Sequence, residues 1–357
     1  MQLELIFPIH LRGTLKNVVK MSGLEEIRVR IEKPLFIYIG QKEYVLVQSD
    51  RAAGGMEIVD SRQPNGYENA YRITEQDLLE MQNYISNYSL YAWQEELRNG
   101  FLTIQGGHRI GLAGGTTNHA GHINGISYIT FFNIRVAHER IGCADKILSY
   151  LYETANTQAK HSIHSEIRQM QKTNMRIYNT LIISPPGAGK TTLLRDCIRS
   201  LSYGVEKTAL NLLYHQKKLE EATFVRGVKI GLVDERSEIA ACYHGIPQND
   251  IGPRTDVLDG CNKPEGIQIL LRVMSPEVIA VDELGTEEDF KAIEQAAYSG
   301  CKVLGTVHAG SMKELQEKPI LKKWCEKELF ERFIFIEKGE DGMRNFKVYN
   351  NRWELLC

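Results

Sequence analysis

The sequence predicts an α/β protein: a C-terminal part built on a mostly parallel sheet with helices on both faces, behind a smaller α+β domain. Three observations predict it. After about residue 175, short apolar runs that end in polar residues alternate with amphipathic stretches, the pattern of parallel strands separated by helices. One strand-to-helix junction, "SPPGAGKTT", holds two glycines followed by Lys-Thr-Thr. The first 140 residues instead alternate apolar and polar residues around Gly-rich turns. The implied boundaries are 1–140 for the N-terminal domain and 141–357 for the second.

In the first domain, "EEIRVRIEKPLFIYIG" alternates and stops at Gly40, which predicts a strand or a hairpin. Residues 51–69 are rich in Gly, Asn and charge and are read as a loop or insertion. "ITEQDLLEMQNYISNYSLYAWQEELRNG" opens on a Thr cap, carries apolar residues at helical spacing and stops at Gly100: a helix. "FLTIQGGHRIGLAGG" and "ISYITFFNIRVAHE" follow as strands around a glycine turn. A helical stretch is expected over roughly 143–174. Strands are then expected at "RIYNTLIIS", "VKIGLVDE", "PEVIAVDE", "CKVLGTVH" and "FERFIFIEK", with residues 205–227 a long charged surface helix or loop. At "GTEEDF", Thr286 and Asp289 have the spacing of a capping box.

Bulk composition narrows the function classes. The chain has 357 residues, 43% hydrophobic and 25% charged, values of a globular protein with room for two or three domains. Lys+Arg 43 against Asp+Glu 45 leaves it nearly neutral, so no global field draws it to nucleic acid or anionic lipid. Its 7 cysteines are scattered with no C-x-x-C pair, which points to reduced thiols and a cytoplasmic setting. "MQLELIFPIH" is too short and too soon charged for a signal or anchor, and no apolar run approaches the ~20 residues that span a bilayer. Direct membrane insertion is therefore not expected. His108, His119, His122, His161 and His164 lack a Cys or carboxylate at metal-site spacing and are read as surface or loop histidines.

The chemistry-bearing pattern is the glycine turn. Successive backbone N–H groups of such a loop, with the partial positive charge of a helix N-terminus, form a cradle for the β- and γ-phosphates of a nucleotide. Ser184, Pro185, Pro186, Gly187, Ala188, Gly189, Lys190, Thr191 and Thr192 form the expected ATP cradle. Lys190 would reach the terminal phosphates and Thr191 would hold Mg²⁺ through its hydroxyl. Ser184 stands where the strict pattern has its first glycine. Two further apolar strands end in Asp-Glu, at Asp234-Glu235 and Asp282-Glu283. Hydrolases of this kind need one carboxylate near Mg²⁺ and another to orient the attacking water. Asp282 is assigned to Mg²⁺ and Glu283 to the water, while Glu235 assists. The capping box that follows uses Thr286 and Asp289 and leaves Asp282 and Glu283 unexplained as structural acids. "CKVLGTVHAG" ends with Thr306 and His308, and a lone histidine there has a structural reading as well as a catalytic one.

"LLRVMSPEVIAVDELGTEEDFKAIEQAAYSGCKVLGTVHAG" resembles the core of the secretion and pilus ATPases of type II and type IV systems. That resemblance implies a RecA-like domain, a hexamer, and ATP cycles that move membrane partners. It also implies an acidic box at "GLVDERSE" and a histidine box at "GTVHAG", which raises Glu235 and His308. A narrower resemblance covers roughly residues 20–50 and 75–340, including "GLVDERSEIAA", "GIPQNDIGPRTDVLDGCNKPEGIQILLRVMSPEVIAVDELG", "FERFIFIEKG" and "GHRIGLAGG…NIRVAHERIGCA". These segments look like the stage III sporulation protein AA family. The likeness implies an ATPase in the mother-cell cytoplasm beside a secretion-like channel to the forespore, recruited to the membrane by membrane-protein partners. The chain departs from that pattern by insertions near 51–70 and 205–227.

A cation besides Lys190 is needed to stabilise transition-state charge. Arg254 and Arg272 are the candidates in the C-terminal domain, and Arg109 or Arg135 in the N-terminal one, each equally readable as a surface or salt-bridge arginine. A nucleic-acid-dependent ATPase is the alternative reading, although local basic character is modest and no single-strand-binding signature is present.

Overall fold

The computed structural model describes residues 3–49, 55–63, 66–86, 97, 100–119, 122–153, 176–206, 224–338 and 344–357. The chain divides into two compact units: Met1–His138 with Ala241–Gln248, and Glu139–Ala240 with Asn249–Cys357.

The first unit is an antiparallel sheet with helices. After a 3₁₀ turn at Leu3–Ile6 and helix α1 (Ile9–Val19) come strands β1 (Leu24–Arg30), β2 (Phe36–Ile39), β3 (Lys42–Gln48) and β4 (Met56–Asp60). Helix α2 (Glu75–Ile85) and strands β5 (Phe101–Thr103), β6 (Arg109–His119) and β7 (His122–Arg135) complete it. The sheet order is β4-β3-β2-β1-β7-β6-β5. Leu11, Leu15 and Val18 of α1 and Leu78 and Met81 of α2 share one core with Ile27, Ile37, Ile110 and Phe132 of the sheet. The segment read as a strand or a hairpin is the hairpin β1–β2. Thr74 caps α2 in a capping box with Asp77. The rest of the helix expected up to Gly100 lies largely outside the described residues. Residues 51–69, read as a loop, contain β4, which pairs with β3 through Val45 opposite Val59. The late segment Ala241–Gln248 belongs to this unit: Gln248 Oε1 accepts from the Gly106 N–H at 2.8 Å.

The second unit is the expected parallel sheet. A short helix α3 (Leu148–Leu151) is the described part of the helical stretch expected over 143–174; residues 154–175 lie outside the described residues. Strand β8 (Thr180–Ser184) leads into helix α4 (Lys190–Tyr203). A small antiparallel ribbon, β9 (Gly204–Glu206) with β10 (Phe224–Arg226), closes the described ends of the 205–227 segment. Then follow β11 (Ile230–Asp234), β12 (Thr255–Asp259), α5 (Lys263–Val273), β13 (Val278–Val281), α6 (Glu287–Tyr298) and β14 (Lys302–His308). Helices α7 (Met312–Glu317) and α8 (Pro319–Glu326) and the hairpin β15 (Arg332–Lys338) and β16 (Arg344–Asn350) complete the unit.

The order is β12-β11-β13-β14-β8-β15-β16, parallel except for the antiparallel pair β15–β16. Every residue of β8, β11 and β13 is buried, as strands covered on both faces must be. Leu181 and Ile183 join one core with Ile267, Leu270, Phe290, Ile293 and Trp324, and strand alternation turns Ile182 to the other face. α4 packs against β8 and β14, burying Leu193, Leu194, Cys197, Ile198 and Leu201 at helical spacing.

The capping box at α6 forms: Thr286 Oγ1 accepts from the Asp289 N–H at 3.0 Å, and Asp289 Oδ2 accepts from the Thr286 N–H at 3.1 Å. Asp289 also accepts from Gly285 N–H at 3.0 Å, which ties the turn after Glu283 to the helix. Thr286→Ala is expected to lower stability by about 1 kcal/mol in denaturant unfolding.

Among the described residues no helix is long and apolar enough to cross a membrane.

Candidate active site

In a parallel sheet, loops at the carboxyl ends of the strands form the ligand crevice. Here β8, β11, β13 and β14 end in Ser184, Asp234, Val281 and His308, so the phosphate loop and both acidic pairs sit along one edge. The loop turns into α4 through Gly189 at φ +98, a conformation open to glycine, and Gly187 is also at positive φ with open space where a Cβ would stand. Ser184, at the first-glycine position, is buried and donates its hydroxyl to the Pro185 carbonyl at 2.9 Å. Ala188 is buried, while Pro185 and Pro186 are exposed.

Lys190 is 5% exposed. Its Nζ donates to the Ser184 and Pro185 carbonyls, both at 3.3 Å, and meets His308 Nδ1 at 2.9 Å. An ammonium only donates, so Nδ1 is the accepting nitrogen and Nε2 carries the proton toward Glu283 Oε1 at 3.0 Å. Burial lowers the Lys190 pKa, against the opposing pull of Asp282 and Glu283. All three acceptors of Lys190 are neutral, so a phosphate oxygen entering the loop would supply the charge partner it lacks.

Thr191 Oγ1 donates to Asp282 Oδ2 at 2.7 Å. Thr306 Oγ1 donates to Asp282 Oδ1 and in turn accepts from the Glu283 N–H at 2.9 Å. Asp282 is therefore oriented from two sides, beside the first turn of α4. A hydroxyl and a carboxylate at this spot are hard oxygen donors of the kind Mg²⁺ takes, together with phosphate oxygens and water. Among the described residues no cluster of three or more His, Cys, Asp or Glu could hold a metal by itself.

Glu283 has φ +51 on a non-glycine residue, a strained conformation maintained by its N–H bonds to Thr306 and Asp282. Its Oε2 pairs with Arg236 Nη1 at 2.9 Å. Burial works against ionisation, but His308, Arg236 and Lys190 outweigh it and hold this carboxyl below the ordinary glutamate range.

Glu235 and Glu283 line one small cleft with Arg236, Lys263 and Asp282. Glu235 forms an ion pair with Lys263 at the start of α5. Asp234 has a different task. It is 2% exposed and accepts the N–H groups of Glu238 (2.9 Å), Ile239 (2.9 Å) and Ala240 (2.8 Å). Burial pushes its pKa up to about 6, although the backbone donors favour the anion. Arg195 of α4 holds the same loop from the other side, donating to the carbonyls of Glu238 and Ile239 at 2.6 and 2.7 Å. Asp234→Asn would set an amide N–H₂ against backbone donors and is expected to cost about 1–3 kcal/mol in urea unfolding.

The structure thus brings together Lys190, Thr191, Glu235, Asp282, Glu283 and His308. It does not bring Arg254 or Arg272 to them within one chain. Arg254 precedes β12, at the amino edge of the sheet, and donates to the Ser202 carbonyl at 2.8 Å near the end of α4. Arg272 is exposed in the last turn of α5, whose first turn is the one beside Glu235, so about 13 Å of helix rise separates it from that cleft. Arg109 and Arg135 face each other in register on β6 and β7 of the first unit, with Arg109 stacked on Phe101. His108 accepts from the Ala137 N–H at 3.1 Å, a structural contact; His161 and His164 lie outside the described residues. Sequence reasoning missed Arg236 and Lys263 as partners of the two glutamates; the basic residue directly after Glu235 was the available signal. A cavity of about 510 Å³ opens at the amino edge of the sheet. Its cations are paired there, Arg226 with Glu277 and both Arg176 and Lys302 with Glu331.

Comparison with known proteins agrees with this architecture. The crystal structure of the pilus retraction motor PilT with bound ADP superposes with a TM-score of 0.52 at 14% identity, over 98% of this chain and 82% of that one. The shared fold is the RecA-like one. The ycf45 protein of Porphyra purpurea is 28% identical over 144 residues, 40% of this chain and 21% of that protein. Stage III sporulation protein AA of Bacillus subtilis (strain 168) is 34% identical over 354 residues, 98% of this chain and 95% of that protein. The family model for sporulation stage III, protein AA matches residues 2–175 and 159–356. Together they account for nearly the whole length, and the chain belongs to the sporulation stage III, protein AA family.

Proposed function

We propose that this protein is a Mg²⁺-dependent ATPase that powers or assembles a secretion-like channel during sporulation. The observation that carries the reading is the convergence of Lys190, Thr191, Asp282, Glu283 and His308 at the carboxyl ends of β8, β13 and β14. The Ser184–Thr192 loop would bind the phosphates through its N–H groups, and Lys190 would exchange His308 for a phosphate oxygen. Thr191 and Asp282 would hold Mg²⁺, which would supply charge neutralisation to the phosphates. Glu283, ionised and oriented by its backbone, would take the proton of the attacking water as the bond from the γ-phosphorus to the ADP oxygen breaks. His308 links Lys190 to Glu283 and so can report the terminal phosphate to the base. Glu235 would assist from the neighbouring strand end.

Family membership supports the sporulation setting. A homohexamer in the mother-cell cytoplasm, recruited by membrane-protein partners, is the arrangement in which such a domain could act on a channel. The test is phosphate release by purified full-length protein given ATP, across a range of oligomer sizes. Release that needs Mg²⁺ and stops on EDTA addition is the expected result. Absence of turnover in every oligomeric form would overturn the reading. Pull-down of Glu283→Gln from sporulating cells is expected to recover small membrane proteins; recovery of nucleic acid alone would remove the channel assignment.

A further inference from the structure

Strand β16 carries a cation to the phosphate loop from the far side of the sheet. β15 runs parallel to β8 and ends at Lys338 on the carboxyl edge, and β16 returns from there with Arg344 paired to Lys338. Arg344 is half-buried, and its guanidinium lies against the backbone of Gly189: a Cβ added to that glycine would collide with Nη2, Cζ and Nε. The same guanidinium acts on Cys143, opposing burial and Asp196, which push that thiol up to about 11. Cys143 in turn donates to the Thr192 carbonyl at 3.6 Å, so Arg344 runs beside the first turn of α4.

Among the described residues it also lacks a polar partner, unlike the other arginines beside α4 and the acidic strand ends. Arg195, Arg199, Arg254 and Arg332 all donate to carbonyls or carboxylates, and Arg236 pairs with Glu283. Arg344 forms no hydrogen bond or ion pair among the described residues. A guanidinium with five donors, placed over a loop of converging N–H groups with no carboxylate attached, is an anion site with its charge unspent.

Sheet order says which part of a nucleotide it would meet. Asp282 and His308 follow β13 and end β14, on one side of β8, whereas β15 and β16 lie on the other. The transferred phosphate belongs on the side of Glu283, so the remainder of the nucleotide has to leave the loop toward β15 and β16. We propose that Arg344 is a nucleotide-binding residue whose guanidinium pairs with the α- and β-phosphates, the part shared by ATP and ADP. The inference rests on the nucleotide-binding reading above and gives that site a second wall.

The test is titration of full-length protein with a fluorescent ADP analogue and with ATP in Mg²⁺, comparing the natural sequence with Arg344→Ala and Arg344→Lys. Arg344→Ala is expected to weaken ADP and ATP by the same factor, about 10–100-fold, and Arg344→Lys to recover part of the loss. Melting without nucleotide checks the fold, and Arg344→Gln replaces Arg344→Ala if the alanine variant is unstable. Unchanged ADP affinity in Arg344→Ala overturns the proposal while leaving the nucleotide site standing. A loss confined to ATP also overturns it, because the contact would then be to the γ-phosphate. No ADP binding by the natural sequence would remove the nucleotide reading itself, and this inference with it.

Discussion

Glu283→Gln is expected to keep ATP bound and to lose turnover by about 10²–10⁴-fold. Glutamine has the shape of the native side chain, and its one amide oxygen can still accept from either His308 Nε2 or Arg236, so the cleft keeps its form. What it lacks is basicity. The native carboxyl, held below the ordinary glutamate range by His308, Arg236 and Lys190 against burial, is ionised at neutral pH in the free enzyme. For the natural sequence, kcat/KM, which reports the free enzyme, should therefore fall on the acid side only below that ordinary range. An equilibrium binding measurement beside a phosphate-release assay separates the two effects. Normal hydrolysis by the glutamine variant would remove Glu283 as the water-activating group.

Lys190→Ala has the other large effect, and it falls on binding. Lys190 is the buried cation of the loop, and its present acceptors are two carbonyls and an imidazole. Removing it leaves the terminal phosphate facing backbone N–H groups without the loop's own cation. Truncating one partner of a buried charge pair costs about 3–5 kcal/mol, so nucleotide affinity should fall by roughly 10²–10³-fold or more. The free protein should hold its shape, since the lost contacts are to acceptors that water can satisfy. Calorimetric titration with ATP and ADP measures the first statement and a melting curve the second. Retained ATP affinity would place the nucleotide elsewhere.

The two expectations separate steps that a single activity assay would merge. A protein that binds and does not turn over is the Glu283 outcome. A protein that does neither is the Lys190 outcome.

Much of the site was legible because its pieces are local. Ser184–Thr192 is a continuous strand, turn and helix start, and its glycines and Lys-Thr-Thr signal phosphate binding within nine consecutive positions. The acidic strand ends and the Thr286 cap are equally local, since each depends on residues within a few positions of one another. Strands β8, β11, β13, β14 and β15 were readable for a related reason: buried on both faces, they appear as uninterrupted apolar runs.

Several of the strands that escaped share a physical cause, although β3, an inner strand, went unread as well. β4, β12 and β16 are edge strands. β12 reads Thr-Asp-Val-Leu-Asp and β16 Arg-Asn-Phe-Lys-Val-Tyr-Asn, half polar because an edge strand is covered on fewer sides. Such strands carry charge on purpose against edge-to-edge pairing, and that erases the apolar signal. The arginines show the same limit. Arg254 and Arg272 sit in motif-rich segments, yet strand direction puts one at the amino edge of the sheet and the other at the far end of α5. Arg344, in a segment with no motif, is the one delivered to the phosphate loop.

By itself the sequence determined the kind of fold this is: a strand, a glycine turn and a helix start with the pattern of a phosphate cradle, and acid-tipped strands alternating with helices. Those are short-range properties, set by backbone conformation and burial along the chain. Only the tertiary structure decided which acids and cations meet. Lys190 and His308 are 118 positions apart and touch because β14 lies beside β8, while Asp234 turns inward to hold a loop and Asp282 faces Thr191. Sheet order and register bring those groups to one edge, and neither is written in any local stretch of residues.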